Sequence, residues 1–395
     1  MLDSPHLIPH ADKDMLVNEQ QKVIATEHRT RCGQRFGQLT LNKPKALNAL
    51  DVDMATTMLA VLKQWDKADD MVFVLIDSVG DKAFCAGGDI VSMYHAMAEQ
   101  PDTVPPFIKS FFTVEYELDH TIHTFSKPVV VWGSGIVMGG GMGLLQGASH
   151  RVVTETSKLA MPEISIGLFP DVGASFFLPR LHHKLGLFLG MTAAQLNGAE
   201  SVNHGMADFL CNSGGLNALI SQWQDTDWSS TALPGSALSR LLQDHSATIA
   251  TNDGIALNDR VAPWLAEIER ICAANTASDV KAGLLAIDAG DDLWMRRAQQ
   301  SLSAGSSLTA ALFFSQFSKG AQLSLSDCFR MELIMACRCA EFGELKEGIR
   351  ALLIDKDGNP AWRFNHIDAI PDDVVAGFFA PPWEEAHPLV HLGES

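Results

Sequence analysis

Between Pro128 and Ser149 this chain carries no charged residue, and seven of the positions are glycine: Gly133, Gly135, Gly139, Gly140, Gly141, Gly143 and Gly147. This stretch restricts the fold more than any other. Its length would allow a membrane-spanning helix. Its glycines argue against one, because each costs about 1 kcal/mol in a helix interior relative to alanine. A buried strand over Pro128–Trp132, a glycine loop and a short helix over Met142–Ala148 fit better. An earlier segment repeats the pattern. Met71–Asp77 is an apolar run that reads as a fully buried parallel strand, and Lys82-Ala-Phe-Cys-Ala-Gly-Gly-Asp89 follows it into a helix capped by Asp89.

Around these two units the chain alternates strand and helix. Lys22–Glu27 and Gly37–Leu41 read as strands joined by a turn at Gly33. Asp51 caps a helix to about Ala68, with Met54, Met58, Val61, Leu62 and Trp65 on one face. Phe107–Phe125 is helical by pattern, Arg151–Thr154 is a third buried strand, and a helix runs on from Asp171 through Leu181. Such alternation signals an α/β protein with a parallel sheet. Beyond Met191 no comparably strong strand appears. Helical periodicity dominates Gly215–Gln224, Ala237–Gln243, Val261–Ala273 and Ser301–Cys339. The expected division is an N-terminal extension (1–21), a core carrying the site (22–200), a helical region (201–380) and a loosely ordered tail (381–395). Cys211–Thr251 reads as a variable insertion.

Composition excludes several classes. Hydrophobic residues make up 47% of the 395 positions, too many for a disordered chain. Lys and Arg number 29 against 47 Asp and Glu, a formal charge of −18, so neither nucleic acid nor an anionic membrane is an expected partner. The seven cysteines have no CxxC spacing, and the 14 histidines form no HExxH, so a metal site is not expected. Reduced cysteines and the absence of an apolar leader in the polar start point to a cytoplasmic protein. There is no GxSxG for a nucleophile elbow and no Gly-Lys pair for a phosphate loop.

The two glycine loops each leave backbone N–H groups free at a helix start. Two such donors converging on one point would form an oxyanion hole; alternatively the glycines only make tight turns. Three carboxylates stand out. Glu163 lies in the apolar run Leu159–Phe169, where burial would raise its pKa for acid–base work, unless a local salt bridge explains it. Asp171 follows Pro170 and also reads as the N-cap of the next helix. Glu115 falls on the apolar stripe Phe111, Leu118, Ile122 and Phe125, unlike Glu117 or Asp119. A solvated helix edge is the alternative for Glu115.

These residues at these spacings resemble the crotonase (enoyl-CoA hydratase/isomerase) superfamily. The resemblance rests on Asn42-Lys-Pro-Lys-Ala-Leu-Asn-Ala-Leu50, Lys82–Ile90 and Gly139–Gly143, and covers most of the chain from about Lys22. Within the superfamily, Ala160–Gly173, Phe177–Leu181, Phe111–Tyr116 and Glu347–Asp357 look most like the branch that hydrolyses 3-hydroxyisobutyryl-CoA in valine breakdown. The resemblance implies an α/β crotonase (ClpP-like) fold of repeated ββα units with an α-helical C-terminal region. It implies that the N–H groups of Gly88 and Gly140 hold the thioester oxygen. Glu163 would be the main catalytic carboxylate and Asp171 the second. Glu115 would contact the substrate, with Gly140, Glu163 and Asp171. Lys45, Ala46, Leu47, Lys82 and Phe84 would lie along coenzyme A, which is part of the substrate, so no cofactor is implied. A homo-oligomer would follow from the superfamily, although the long Cys211–Asp288 region departs from its shorter members. Hydratases of the superfamily carry a second glutamate where this chain has Gly143, which weakens the alternative of an enoyl-CoA hydratase or isomerase. A non-catalytic acyl-CoA-binding protein is the remaining alternative.

Overall fold

The computed structural model describes residues 21–230, 233–252 and 258–393. Of the extension expected over 1–21, only Gln21 lies among them. The first half runs β1 (Val23–Arg29), β2 (Arg35–Leu41), α1 (Val52–Asp66), β3 (Met71–Ser78), β4 (Ala83–Cys85), α2 (Ile90–Glu99), α3 (Pro106–His123), β5 (Val129–Gly133), β6 (Ile136–Met138), α4 (Gly140–Gly147), β7 (His150–Thr154) and β8 (Lys158–Ala160). Next come α5 (Ala174–Phe177), α6 (Leu185–Thr192), β9 (Leu196–Asn197), α7 (Gly198–Asn203) and β10 (Phe209–Cys211). The rest is helical: α8 (Leu216–Asp225), α9 (Pro234–Asn252), α10 (Leu265–Cys272), α11 (Ala277–Leu285), α12 (Leu293–Ala304), α13 (Ser307–Gly320), α14 (Leu325–Phe342), α15 (Glu344–Ile349) and α16 (Asp372–Gly377).

Two sheets result. One has six strands in the order β1-β2-β3-β5-β7-β10, parallel except for the β1–β2 hairpin. The other has four, β4-β6-β8-β9, antiparallel only at β8–β9. Three times a large-sheet strand is followed by a small-sheet strand and then helix: β3-β4-α2, β5-β6-α4 and β7-β8-α5. These are the expected ββα units. Beyond Met191 the described residues add only β9 and β10, two and three residues long, in keeping with the expectation that no comparably strong strand follows. They are too short to carry a periodic signal and hold their place by pairing with β8 and β7.

The large sheet is buried on both faces, which is why β3 reads as a continuous apolar run. Leu39, Val74, Ile76 and Val131 face the main core with α1 and α3, while Phe36, Phe73, Leu75, Val130 and Trp132 face the other way. The Cys211–Thr251 segment covers that second face: Leu219, Trp223, Trp228, Leu238 and Leu242 pack there. Phe73 stacks on Phe36 at 4.6 Å and meets the edge of Trp223 at 5.3 Å.

The tail is not loose. Among residues up to 393, Leu389 and Leu392 are buried in the core. The Arg330 guanidinium donates to the carbonyls of Leu389, Val390 and Leu392, and His387 donates to the Arg330 carbonyl. Composition alone misled here, because two leucines and one arginine fork suffice to dock it.

Candidate active site

β4, β6 and β8 run parallel, with one irregularity between β4 and β6, and all three end at one edge of the small sheet. The loops leaving that edge carry Gly87–Gly88, Gly139–Gly140 and Glu163. Gly87 (φ +119°) and Gly139 (φ +48°) adopt backbone conformations that side chains resist. A Cβ on Gly139 would stand 3.2 Å from the Gly87 Cα, so the two loops touch. Gly140 opens α4, where an N–H has no intrahelical acceptor, and the Gly88 N–H meets no acceptor among the described residues. Buried Asn48 ties the neighbouring loops together: its amide donates to the carbonyls of Val79 and Ala83, and its oxygen accepts from the Lys43 N–H.

Glu163 begins a 3-10 turn, is 3% exposed, and has an unpartnered Oε2. Its Oε1 lies 3.5 Å from where a Cβ on Gly139 would be. Asp171 is 4% exposed and accepts a 2.7 Å hydrogen bond from the Tyr116 hydroxyl. Glu115 is buried on α3, its Oε1 unpartnered and in the place that a Cβ on Gly140 would take. The structure therefore gathers Gly88, Gly140, Glu115, Glu163 and Asp171 in one buried region, and among the described residues none of the three carboxylates forms an ion pair. Burial, then the Asp171 charge, raises the Glu163 and Glu115 carboxyls well above their usual range. Burial lifts Asp171 to about 7, against the opposing Tyr116 hydrogen bond.

Two expectations need correction. Asp171 is not a helix cap. The helix that reaches Leu181 is α5 continued by a 3-10 turn (Leu178–Arg180), and its N-cap is Gly173 (φ +90°). Glu332 of α14 supplies the cap, accepting from the N–H groups of Gly173 (2.7 Å) and Ser175 (2.8 Å). Between Asp171 and Gly173 stands Val172 at φ +53°, a left-handed conformation that costs a β-branched residue about 1–3 kcal/mol. Nor is Asp119 off the buried face. It is fully buried, with both oxygens unpartnered. The expectation assumed one apolar stripe, whereas α3 packs against α1, α4 and α14 and is covered on several sides.

Asp119 also explains Gly143. The glycines of α4 form the face that meets α3: Gly140 against Glu115, Gly143 against Asp119, Gly147 against Ile122. A Cβ on Gly143 would lie 2.5 Å from Asp119 Oδ2, so a side chain at position 143 would have to displace the Asp119 carboxylate. Burial first, and the Glu115 charge second, raises the Asp119 carboxyl well above its usual value. Folding then takes up a proton once pH exceeds the unfolded pKa near ~3.9. Its effect is a loss of stability as pH rises from there toward the folded pKa, about 1.4 kcal/mol per pH unit. Asp119→Asn is therefore expected to raise the melting midpoint at pH 8 and to match the parent near pH 4. A midpoint at pH 8 equal to or below the parent's would contradict this.

The segments expected to follow coenzyme A divide. Lys45, Ala46 and Lys82 are exposed, Leu47 is half-buried, and Phe84 is wholly within the core, so it can offer only backbone. Ala86 N–H bonds the Leu47 carbonyl, which places both segments side by side at the site's edge. Neither Lys45 nor Lys82 forms an ion pair among the described residues, whereas Lys43 is held by Asp51 and Asp89. Exposed charge pairs contribute about 0.2–1 kcal/mol. Lys45→Ala and Lys82→Ala should each raise KM for an acyl-CoA roughly two- to five-fold and leave kcat unchanged, as steady-state kinetics would show. No change in either KM would remove these lysines from the binding strip.

Sequence reasoning missed Tyr116, Asp119, Glu332 and Gln316. Asp119 had a signal, four residues after Glu115. Glu332 had one too: it is a lone acid among Met331, Leu333, Ile334 and Met335.

The stacked ββα units define the crotonase fold. The chain belongs to the enoyl-CoA hydratase/isomerase family, whose model matches residues 36–379. It is 36% identical over 348 residues to a mitochondrial 3-hydroxyisobutyryl-CoA hydrolase of Danio rerio, spanning 88% of this chain and 87% of that protein. It is 33% identical to the small ribosomal subunit protein mS47 of Neurospora crassa, over 84% of this chain and 66% of that one. Among solved structures, a carnitinyl-CoA dehydratase from Mycobacterium thermoresistibile superposes with a TM-score of 0.78 at 30% identity, covering 92% and 97% of the two chains. The cytoplasmic expectation is overturned, because the matching hydrolases are named as mitochondrial. Free cysteines do not separate one reducing compartment from another.

Proposed function

We propose that this chain is an acyl-CoA thioester hydrolase that converts 3-hydroxyisobutyryl-CoA and water to 3-hydroxyisobutyrate and coenzyme A, a step of valine catabolism. The observation that carries the reading is the buried pair Glu163 and Asp171 beside two free-amide loops, with Gly143 packed against Asp119. The thioester oxygen would accept from the Gly88 and Gly140 N–H groups, which stabilise the negative charge that develops there. Glu163, ionised, acts on the carbonyl carbon in one of two ways. As a general base it takes a proton from water, and the hydroxide adds. As a nucleophile it displaces coenzyme A to give an anhydride that water then cleaves. Either way the C–S bond breaks and the thiolate leaves with a proton, for which Asp171 is the donor. Glu115 would border the acyl group. Neither route requires a metal or redox cofactor.

The hydratase reading has in its favour the similarity to solved structures of a dehydratase and of an enoyl-CoA hydratase, each over nearly its whole length. Against it, water addition by two glutamates needs a side chain at position 143. The ribosomal relative keeps a non-catalytic reading in view. The assay is thiol release across a panel of short 3-hydroxyacyl-CoAs, with 3-hydroxyisobutyryl-CoA expected to be the best substrate. Loss of enoyl absorbance from crotonyl-CoA without thiol release would favour the hydratase. Binding without turnover of any member would favour the non-catalytic protein.

A further inference from the structure

The segment from Glu163 to Ser175 is held from outside by the C-terminal helices. The Ser306 N–H donates to the Ile164 carbonyl. The backbone at Gly167 meets that of Glu344 closely enough that no Cβ would fit. Gln316 of α13 donates through Nε2 to the Pro170 carbonyl (2.6 Å) and the Ser175 hydroxyl (2.8 Å). Glu332 of α14 closes the set with its two oxygens on the N–H groups of Gly173 and Ser175. All these groups are buried. Asp171 lies between the Pro170 and Gly173 anchors, next to the left-handed Val172 and Gly173. A turn in that conformation persists only where its surroundings over-determine it. Because Glu332 takes over the amides that an N-cap would serve, the Asp171 carboxyl turns instead toward Tyr116.

We infer that Glu332 is a positioning residue for Asp171: by capping α5 from a different helix it fixes the strained turn that presents Asp171 to the substrate. This rests on the reading of Asp171 as the second catalytic carboxylate. It also gives the helical C-terminal region a part in the chemistry, through α13 and α14 rather than through any contact of their own with substrate.

The test is a double-mutant cycle on the full chain, measuring kcat and KM for thiol release with melting midpoints alongside. Glu332→Gln puts an amide NH2 against a backbone N–H and should lower kcat about 10- to 100-fold, with KM changed less than two-fold. In the Asp171→Asn background the same substitution should lower kcat less than two-fold further. Glu332→Asp keeps a carboxyl at shorter reach, should show the same non-additivity, and serves if the glutamine variant does not fold. If the losses multiply, or if kcat is unaffected while the melting midpoint falls, Glu332 is only a structural cap and the inference fails alone. If Asp171→Asn itself turns over normally, the reading of Asp171 fails and takes the inference with it.

Discussion

Glu163→Gln is expected to lower kcat for thioester hydrolysis about 10³-fold, within the range for a positioned acid–base group, while KM stays within a few-fold. The substitution keeps the shape of the side chain and removes its ability to accept a proton or to form an anhydride. The residue follows β8, lies against Gly139, and has one oxygen unpartnered and no ion pair among the described residues. Folding should therefore be little harmed, because a neutral amide suits that site at least as well as a carboxylate. The same burial sets the pH dependence. Glu163 acts when ionised, and its pKa is held well above the ordinary range by desolvation and the Asp171 charge. Activity of the parent should keep rising with pH beyond the range where an exposed glutamate has finished titrating, near ~4.3. A rate already flat from pH 5 upward, or an active Glu163→Gln, would remove Glu163 from the chemistry.

Asp171→Asn should cost about 10²- to 10³-fold in kcat, the loss of one proton-donating group. Two further effects distinguish this from a lost helix cap. First, a donor must hold its proton while Glu163 is ionised, so the parent should lose activity on the alkaline side as Asp171, lifted to about 7, gives its proton up, and the remaining activity of the variant should lack that fall. Second, Asp171 bonds no helix amide; Glu332 does. The melting midpoint should therefore stay close to the parent's, or rise at pH 8, where a carboxyl with a pKa lifted to about 7 is held partly ionised against its burial. A variant with normal kcat and a lowered midpoint would make Asp171 the cap that its position after Pro170 first indicated.

Much of this architecture was legible in the sequence for a physical reason. A strand buried on both faces must be apolar throughout, so β3 and β5 declare themselves. Loops that approach one another at Gly87 and Gly139 must lack side chains, so the edge that bears the site does too. Glu163 stood out because a charge in an apolar run needs an explanation. The misses share a different cause. Asp119 was judged against a single stripe, but α3 is surrounded, and only the packing of α4 glycines against it reveals the acid. Asp171 had a local role on offer that a residue 161 positions away, Glu332, had already filled. The tail was docked by Arg330, which no local pattern links to Leu392. Local periodicity reports which face is buried; it does not report which distant group completes a polar site.

Supply the purified chain with 3-hydroxyisobutyryl-CoA and follow free thiol, with crotonyl-CoA absorbance recorded on the same preparation. A hydrolase built on Glu163 and Asp171 releases one thiol per acyl group, does so far more slowly as Glu163→Gln, and leaves the crotonyl double bond intact. Loss of the crotonyl absorbance with no thiol released from either substrate would contradict the account.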